Sequence, residues 1–367
     1  MSQNKPFYKK QLRKLYAFNA LGNLSIAGAA WVLLLVSQGY SLFEVGIAET
    51  VFHLVSITAE IPSGVFADVF GRKKSLALSC VCVVISALTR AYWDSFAGVL
   101  VSIAFSALSY NFFTGSDNAL AYDSLLEENA KDRYDGYIST QTVIYRVANG
   151  IATLAAGIAV MIGNTAAQLI SVGIASVQFI LVMTIKENKV IVNRQEISVR
   201  RRIHESVTES MLFLKGNSKV ARLIFRNCLV GAIDILLLFF LQARLPMAGV
   251  SDIVLGPLLF IMSMGGVIGA WASSKVKEWQ FRKLFIVCLI LVSSGFLAAF
   301  TKIPVVMTLG GFLAAFADDM IQIRADVELN NMIPSAQRAT LISVNSFCFS
   351  MVMIVLSPLA GIVFGAA

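Results

Sequence analysis

The sequence predicts an all-α, polytopic membrane protein, and three observations carry that reading. Of its 367 residues, 57% are hydrophobic and 14% are charged, where a soluble domain carries about 25% charged residues. Apolar segments recur along the whole chain, each of about 20 residues, the length that crosses a hydrocarbon core. Basic residues concentrate on alternate connections between those segments. With a mean hydropathy of +0.74, lipid is the solvent for most of this surface.

The segments lie at 15–37, 42–67, 75–93, 96–121, 137–162, 166–185, 220–241, 251–272, 283–301, 304–324 and 339–363. Alternating their connections between two sides puts nearly every Lys and Arg on the side of the N-terminus. Arg90, Arg244 and Lys302 fall on the other side, and Arg146 lies well inside a segment. The positive-inside rule makes the basic side cytoplasmic. The net charge of +8 is therefore a topology signal, and no nucleic-acid partner is expected. Met1–Lys14 is polar and basic without a small-residue cleavage site, so it is not a removable signal peptide. The five cysteines all fall within apolar segments, and Cys80-Val-Cys82 lacks zinc-site spacing; they read as small hydrophobes.

A polar stretch from Lys186 to Lys219 divides the chain into a six-span bundle (1–185), a cytoplasmic linker (186–219) and a second bundle (220–367). The linker holds Arg200-Arg201-Arg202, and 205–214 has the pattern of a short amphipathic surface helix. A shift of about 205 residues places Gly64 on Gly269, Asp68 on Ser273, Arg72 on Lys277 and Arg133 on Arg338, the mark of a parallel repeat of helices.

Between the second and third spans the chain reads Gly64-Val-Phe-Ala-Asp68-Val-Phe-Gly71-Arg72-Lys73-Lys74. This resembles the signature loop of the major facilitator superfamily, Gly-x-x-x-Asp-(Arg/Lys)-x-Gly-Arg-(Arg/Lys)-(Arg/Lys), with Val69 as its one departure. The resemblance implies two pseudo-symmetric six-helix bundles that alternate access to a site near the membrane midplane. The family's twelfth helix is expected to be missing from this chain, since the second bundle shows five spans. The resemblance assigns the gating motif to Gly64, Asp68, Gly71, Arg72 and Lys73. Asp68 would meet the N-terminus of the eleventh helix, which starts after Pro334 with Arg338-Ala-Thr340, where an anion is favoured by a few tenths to about 1 kcal/mol. The cations alone need no more than a solvated turn.

The fourth span closes with Gly115-Ser-Asp117-Asn-Ala-Leu-Ala-Tyr122-Asp123-Ser, a string similar to that of bacterial efflux-type members. Asp123 is expected at its rim, offsetting the motif cations. Two family features are missing: 137–162 has no proline, and the fourth span has no Arg.

Charges inside spans are costly unless paired or wetted, so each is a functional candidate. Glu60, Asp117 and Arg146 sit at similar depth and are expected to form a buried pair or triad, either for function or to hold the bundle together. Asp234, near the middle of the seventh span, reads as a lone carboxylate suited to carrying a proton. Asp318 and Asp319 are adjacent, so at most one faces a cavity; Arg324 is a candidate partner. Asn19, Asn23, His53, Asn111 and Asn149 are candidates for lining a substrate cavity. Asn19 and Asn23 share a helix face. A single His at midplane is more often a satisfied hydrogen bonder between helices than a proton relay. Small residues at spacing four, Gly265/Gly269/Ser273 and Ala148/Ala152/Ala156, mark close helix contacts. The resemblance implies that these eighth and fifth spans pack on each other.

These features predict a secondary transporter, N-terminus cytoplasmic, working as a monomer in the cell membrane. Proton-coupled efflux of an amphipathic solute or drug is the leading expectation. A proton-coupled symporter or facilitator for a sugar or organic acid is the alternative. No Gly-x-x-x-x-Gly-Lys-(Ser/Thr) loop suggests a pump, and no His-Glu-x-x-His or prenyl-transferase aspartate spacing suggests an enzyme. The expected partners are a small-molecule substrate, protons and the bilayer, with no cofactor or metal.

Overall fold

The computed structural model describes residues 7–187, 208, 215–332 and 338–366, the side chains of Phe7 and 338–343 excepted. The amphipathic helix expected at 205–214 therefore lies outside the described residues, apart from Thr208. The described chain is helical: α1 (Phe7–Asn23), α2 (Ile26–Ala29), α3 (Trp31–Ser37), α4 (Leu42–Phe70), α5 (Arg72–Tyr92), α6 (Phe96–Phe113), α7 (Ser116–Glu127), α8 (Tyr134–Leu154), α9 (Ala156–Ile162) and α10 (Asn164–Met183). After the linker come α11 (Ser218–Met247), α12 (Asp252–Ser273), α13 (Phe281–Ala298), α14 (Pro304–Met332) and α15 (Arg338–Gly365).

Among the described residues, nine helical stretches are long and apolar enough to cross a membrane. The pair α8–α9, bent by 45°, makes a tenth. The segment expected at 15–37 is instead three helices. Its break has a local cause: Ser25 Oγ accepts the Gly28 N–H at 3.1 Å and starts a new helix, while Asn23 Nδ2 donates back to the Asn19 carbonyl at 2.8 Å. The fourth span also breaks, at Gly115, whose φ of +80° is a left-handed conformation that favours glycine. It then continues as α7 to Glu127, beyond the expected end at 121.

Two compact units divide the chain. Unit 1 takes residues 1–29, 54–155 and 162–202; unit 2 takes 30–53, 156–161 and 203–367. The core of unit 1 is built from Leu15, Phe18, Leu76, Leu120, Leu125 and Tyr137, with Tyr16 stacked on Tyr137 at 5.1 Å. Its motif loop is tied down by charge. Arg72 pairs with Asp123, as expected of that acid. Glu187 accepts the backbone N–H groups of Arg72 and Lys73, each at 2.9 Å, and Lys73 Nζ donates to the Met183 carbonyl at 2.8 Å.

In unit 2, Gly265 and Gly269 mark a close helix contact. They press on the Phe312 and Phe316 carbonyls of α14, where a Cβ at either position would overlap the backbone. The fifth and eighth spans do touch in this unit, but at Gly157 against Asp252. A second seam joins α4 to α15 through residues spaced by three and four: Gly46 lies on Ser357, Thr50 Oγ1 donates to the Ile354 carbonyl at 3.3 Å, and His53 Nδ1 lies 3.1 Å from Ser350 Oγ. The degraded repeat shows as structure. A shift of 205 carries Arg72 and Asp123 onto Lys277 and Glu328, and Arg324 donates to both, at 2.9 Å to the Lys277 carbonyl and 3.1 Å to Glu328.

Candidate functional site

Unit 1 contains a partly open cavity of about 700 Å³, lined by Asn19, Asn23, Tyr110, Asp117, Gln141 and Tyr145 among others. That volume suits a drug-sized ligand, for which pockets of about 300–1,000 Å³ are usual. Its charge comes from Asp117, which is 2% exposed. The sequence puts that carboxylate there by breaking the span at Gly115. The helix restarts at Ser116, so Asp117 falls in the first turn of α7, where free backbone N–H groups favour an anion. The Asn118 backbone N–H bonds it. Two amides complete the shell: Gln141 Nε2 donates at 2.6 Å and Asn19 Nδ2 at 3.4 Å. Hydrogen bonds to a charged group are worth about 1.5–3 kcal/mol each, which offsets much of the cost of burial. Beside it, the buried Asn118 Oδ1 has no hydrogen-bond partner.

The carboxylate thus sits among neutral donors, and the expected burial of Glu60 and Arg146 is not met. Glu60 and Arg146 are both exposed. Depth along a helix was legible, but azimuth decides burial. Glu60 shares an exposed face with Gly64 and Asp68 at spacing four. On α8, Tyr137, Ala148 and Ala152 form the buried stripe. Val143, Val147, Ile151 and Leu154 form an exposed apolar one. Thr142, Tyr145, Arg146 and Asn149 form an exposed polar one. At about 100° per residue these are three distinct faces, and the polar face is the one that requires water.

Of the other candidates, Asn23 lines the cavity. Asn111 is consumed structurally: its Oδ1 accepts from Ser56 Oγ at 2.9 Å and its Nδ2 donates to the Ser56 carbonyl at 2.7 Å. His53 belongs to unit 2, where both ring nitrogens have partners: Ser350 and, at 3.2 Å, Glu49. Asp234 is not a lone carboxylate, because Asp318 and Asp319 lie within electrostatic reach. The two adjacent acids diverge as expected. Asp318 points at Gly231, one turn before Asp234 on α11, and Asp319 at Gly266 on α12. Asp68 is exposed, and the side chains at the start of α15 expected to face it are outside those described. Sequence reasoning missed Glu187 and Glu49; the spacing of four between Glu49 and His53 was a readable signal.

A family model, Major Facilitator Superfamily, matches residues 15–281. The chain belongs to the major facilitator superfamily. Its apolar helices and this membership make it a multi-pass membrane protein of a transporter superfamily. An uncharacterized MFS-type transporter, YxaM of Bacillus subtilis (strain 168), is 33% identical over 103 residues. That match spans 28% of this chain and about a quarter (26%) of the relative's length. Among solved structures, a mutant form of the nucleoside transporter NupG aligns over 98% of this chain and 96% of its own, with a TM-score of 0.78 at 14% identity. A D-xylose-proton symporter aligns over 96% and 89%, with a TM-score of 0.68 at 13% identity. These TM-scores over nearly the whole chain establish the shared fold.

Proposed function

We propose that this transporter exports an amphipathic, cationic small molecule from the cell in exchange for protons, by alternating access. The observation that carries the reading is Asp117: one buried carboxylate, held by neutral amides and a helix N-terminus, in a cavity walled by Phe18, Tyr110, Phe113 and Tyr145. Aromatic faces and one negative charge favour a flat or bulky cation. A carboxylate compensated only by neutral donors accepts either that cation or a proton, which is the competition exchange requires. Asp234 and Asp318 supply further protonatable groups for coupling. The exposed Asp68, with Gly64, Gly71, Arg72 and Lys73, carries the gating role of the motif, and the bias of Lys and Arg toward one side supports a cytoplasmic N-terminus.

The test uses everted membrane vesicles with an imposed acid interior and ethidium as the probe. The wild type should accumulate ethidium, and Asp117→Asn should lose about tenfold or more, as expected when a buried charge partner is removed. If ethidium stays put while an imposed gradient drives xylose or uridine into right-side-out vesicles, the nutrient-symport alternative replaces efflux.

A further inference from the structure

We propose that Glu49, His53 and Ser350 of unit 2 form a proton-binding site that loads and unloads one proton at His53. The three groups are in direct contact. Glu49 Oε1 lies 3.2 Å from His53 Nε2, one helical turn away, and Ser350 Oγ lies 3.1 Å from His53 Nδ1. The side chains of His53 and Glu49 are 9% and 13% exposed.

The choice of partners carries the inference. A carboxylate only accepts, so Nε2 keeps its hydrogen and donates to Glu49 whether the ring is neutral or charged. A hydroxyl both donates and accepts. With the ring neutral, Ser350 Oγ–H donates to Nδ1. When a proton from water adds to Nδ1, that N–H donates to the Ser350 oxygen and the hydroxyl hydrogen rotates away. No heavy atom has to move. A backbone N–H at Nδ1 would have locked the ring neutral, and a carbonyl would have locked it charged. The loaded pair, Glu49 carboxylate and His53 imidazolium, is neutral overall; the unloaded pair carries one negative charge.

Two helices of unit 2 surround the ring. On its own helix it meets Phe52 and Glu49. From α15 it meets Phe349, edge to face at 5.8 Å, and Ser350. The Phe349 ring also touches the point where Gly231 faces Asp318, so the next acids, Asp318 and then Asp234, lie one aromatic ring further on. Unit 2 thereby holds a second set of protonatable groups, distinct from Asp117 in unit 1.

That this site serves transport rests on the proton-driven reading above; that it binds a proton does not. The test therefore reads the proton directly. The sequence has two histidines, His53 and His204, so ¹⁵N-histidine labelling in lipid nanodiscs gives two ring systems, assigned with a His204→Gln variant. As the pH falls from roughly 10 to 4, His53 should pass from the Nε2–H tautomer to the doubly protonated ring, and Glu49→Gln should shift that midpoint. A ring that keeps one protonation state over this range in the wild type would overturn the site, whatever the variants do. A titration indifferent to Glu49→Gln would also overturn it. Failure of the proton-driven reading would appear separately, as transport in vesicles that ignores an imposed pH gradient while His53 still titrates.

Discussion

The carboxylate of Glu187 lies against Gly71, its atoms 2.8–3.0 Å from the point where a Cβ would stand. Gly71 also has a φ of +103° and a ψ of +149°, a region essentially confined to glycine that costs an L side chain on the order of 1–3 kcal/mol. Both facts follow from one arrangement: the chain turns sharply out of α4, and the first amides of α5 aim at an acid 115 residues away. Gly71→Ala should therefore lower thermal stability in detergent by about 1–3 kcal/mol through strain and displacement of the cap. Glu187→Gln, which keeps the shape and loses the charge, should cost about 0.3–1 kcal/mol. A melting curve for Gly71→Ala that overlays the wild type would show that the cap is not formed.

Arg72 and Asp123 form an ion pair whose side chains are 25% and 11% exposed. It is more sheltered than a surface pair, and the Glu187 cap holds the Arg72 backbone in place. Asp123→Asn should destabilise the loop, and the exchange Arg72→Asp with Asp123→Arg should recover part of the loss. A double-mutant cycle on thermal unfolding should give a coupling of about 0.5–1 kcal/mol. Additive effects would mean the two groups do not sense each other.

Asp234 offers the sharpest separation of coupling from binding. Its neighbours Asp318 and Asp319 are acids, so three carboxylates share one region of unit 2. If this region carries the coupling proton, Asp234→Asn should abolish gradient-driven ethidium flux while leaving ethidium counterflow intact. Asp117→Asn should abolish both. Unchanged gradient-driven flux in Asp234→Asn would remove it from the coupling path.

Much of this was readable in the sequence, for identifiable reasons. Span positions follow from apolar length, and the motif loop from glycines, an acid and cations at fixed spacing. That Asp123 offsets a cation of the motif follows from charge; that the cation is Arg72 does not. The union of Asn19, Asp117 and Gln141 was not readable. It depends on a helix break at Gly115 and on contacts 98 and 24 residues apart along the chain. Glu60 and Arg146 failed as buried partners because hydropathy reports depth in the membrane and not which face of a helix points inward. Gly265 and Gly269 announced a close contact correctly, but small residues carry no label for their partner, which within unit 2 includes α14.

Arg244 gives a prediction that depends on packing alone. It is 5% exposed near the end of α11. Its Nε donates to the Ala299 carbonyl and its Nη1 to the Phe364 carbonyl, both at 3.1 Å, and the guanidinium lies 5.0 Å from the Phe300 ring centre. Three helices of unit 2 are thus joined at their ends by one side chain that satisfies otherwise free carbonyls. Arg244→Ala removes two charge-assisted bonds and a cation–π contact and should cost about 3 kcal/mol. Arg244→Lys keeps the charge but cannot reach both carbonyls with a planar fork, so it should fall between alanine and the wild type. Thermal unfolding of the three proteins in one detergent reads the order directly. An alanine variant as stable as the wild type would mean the carbonyls find other donors and that Arg244 is not what holds these ends together.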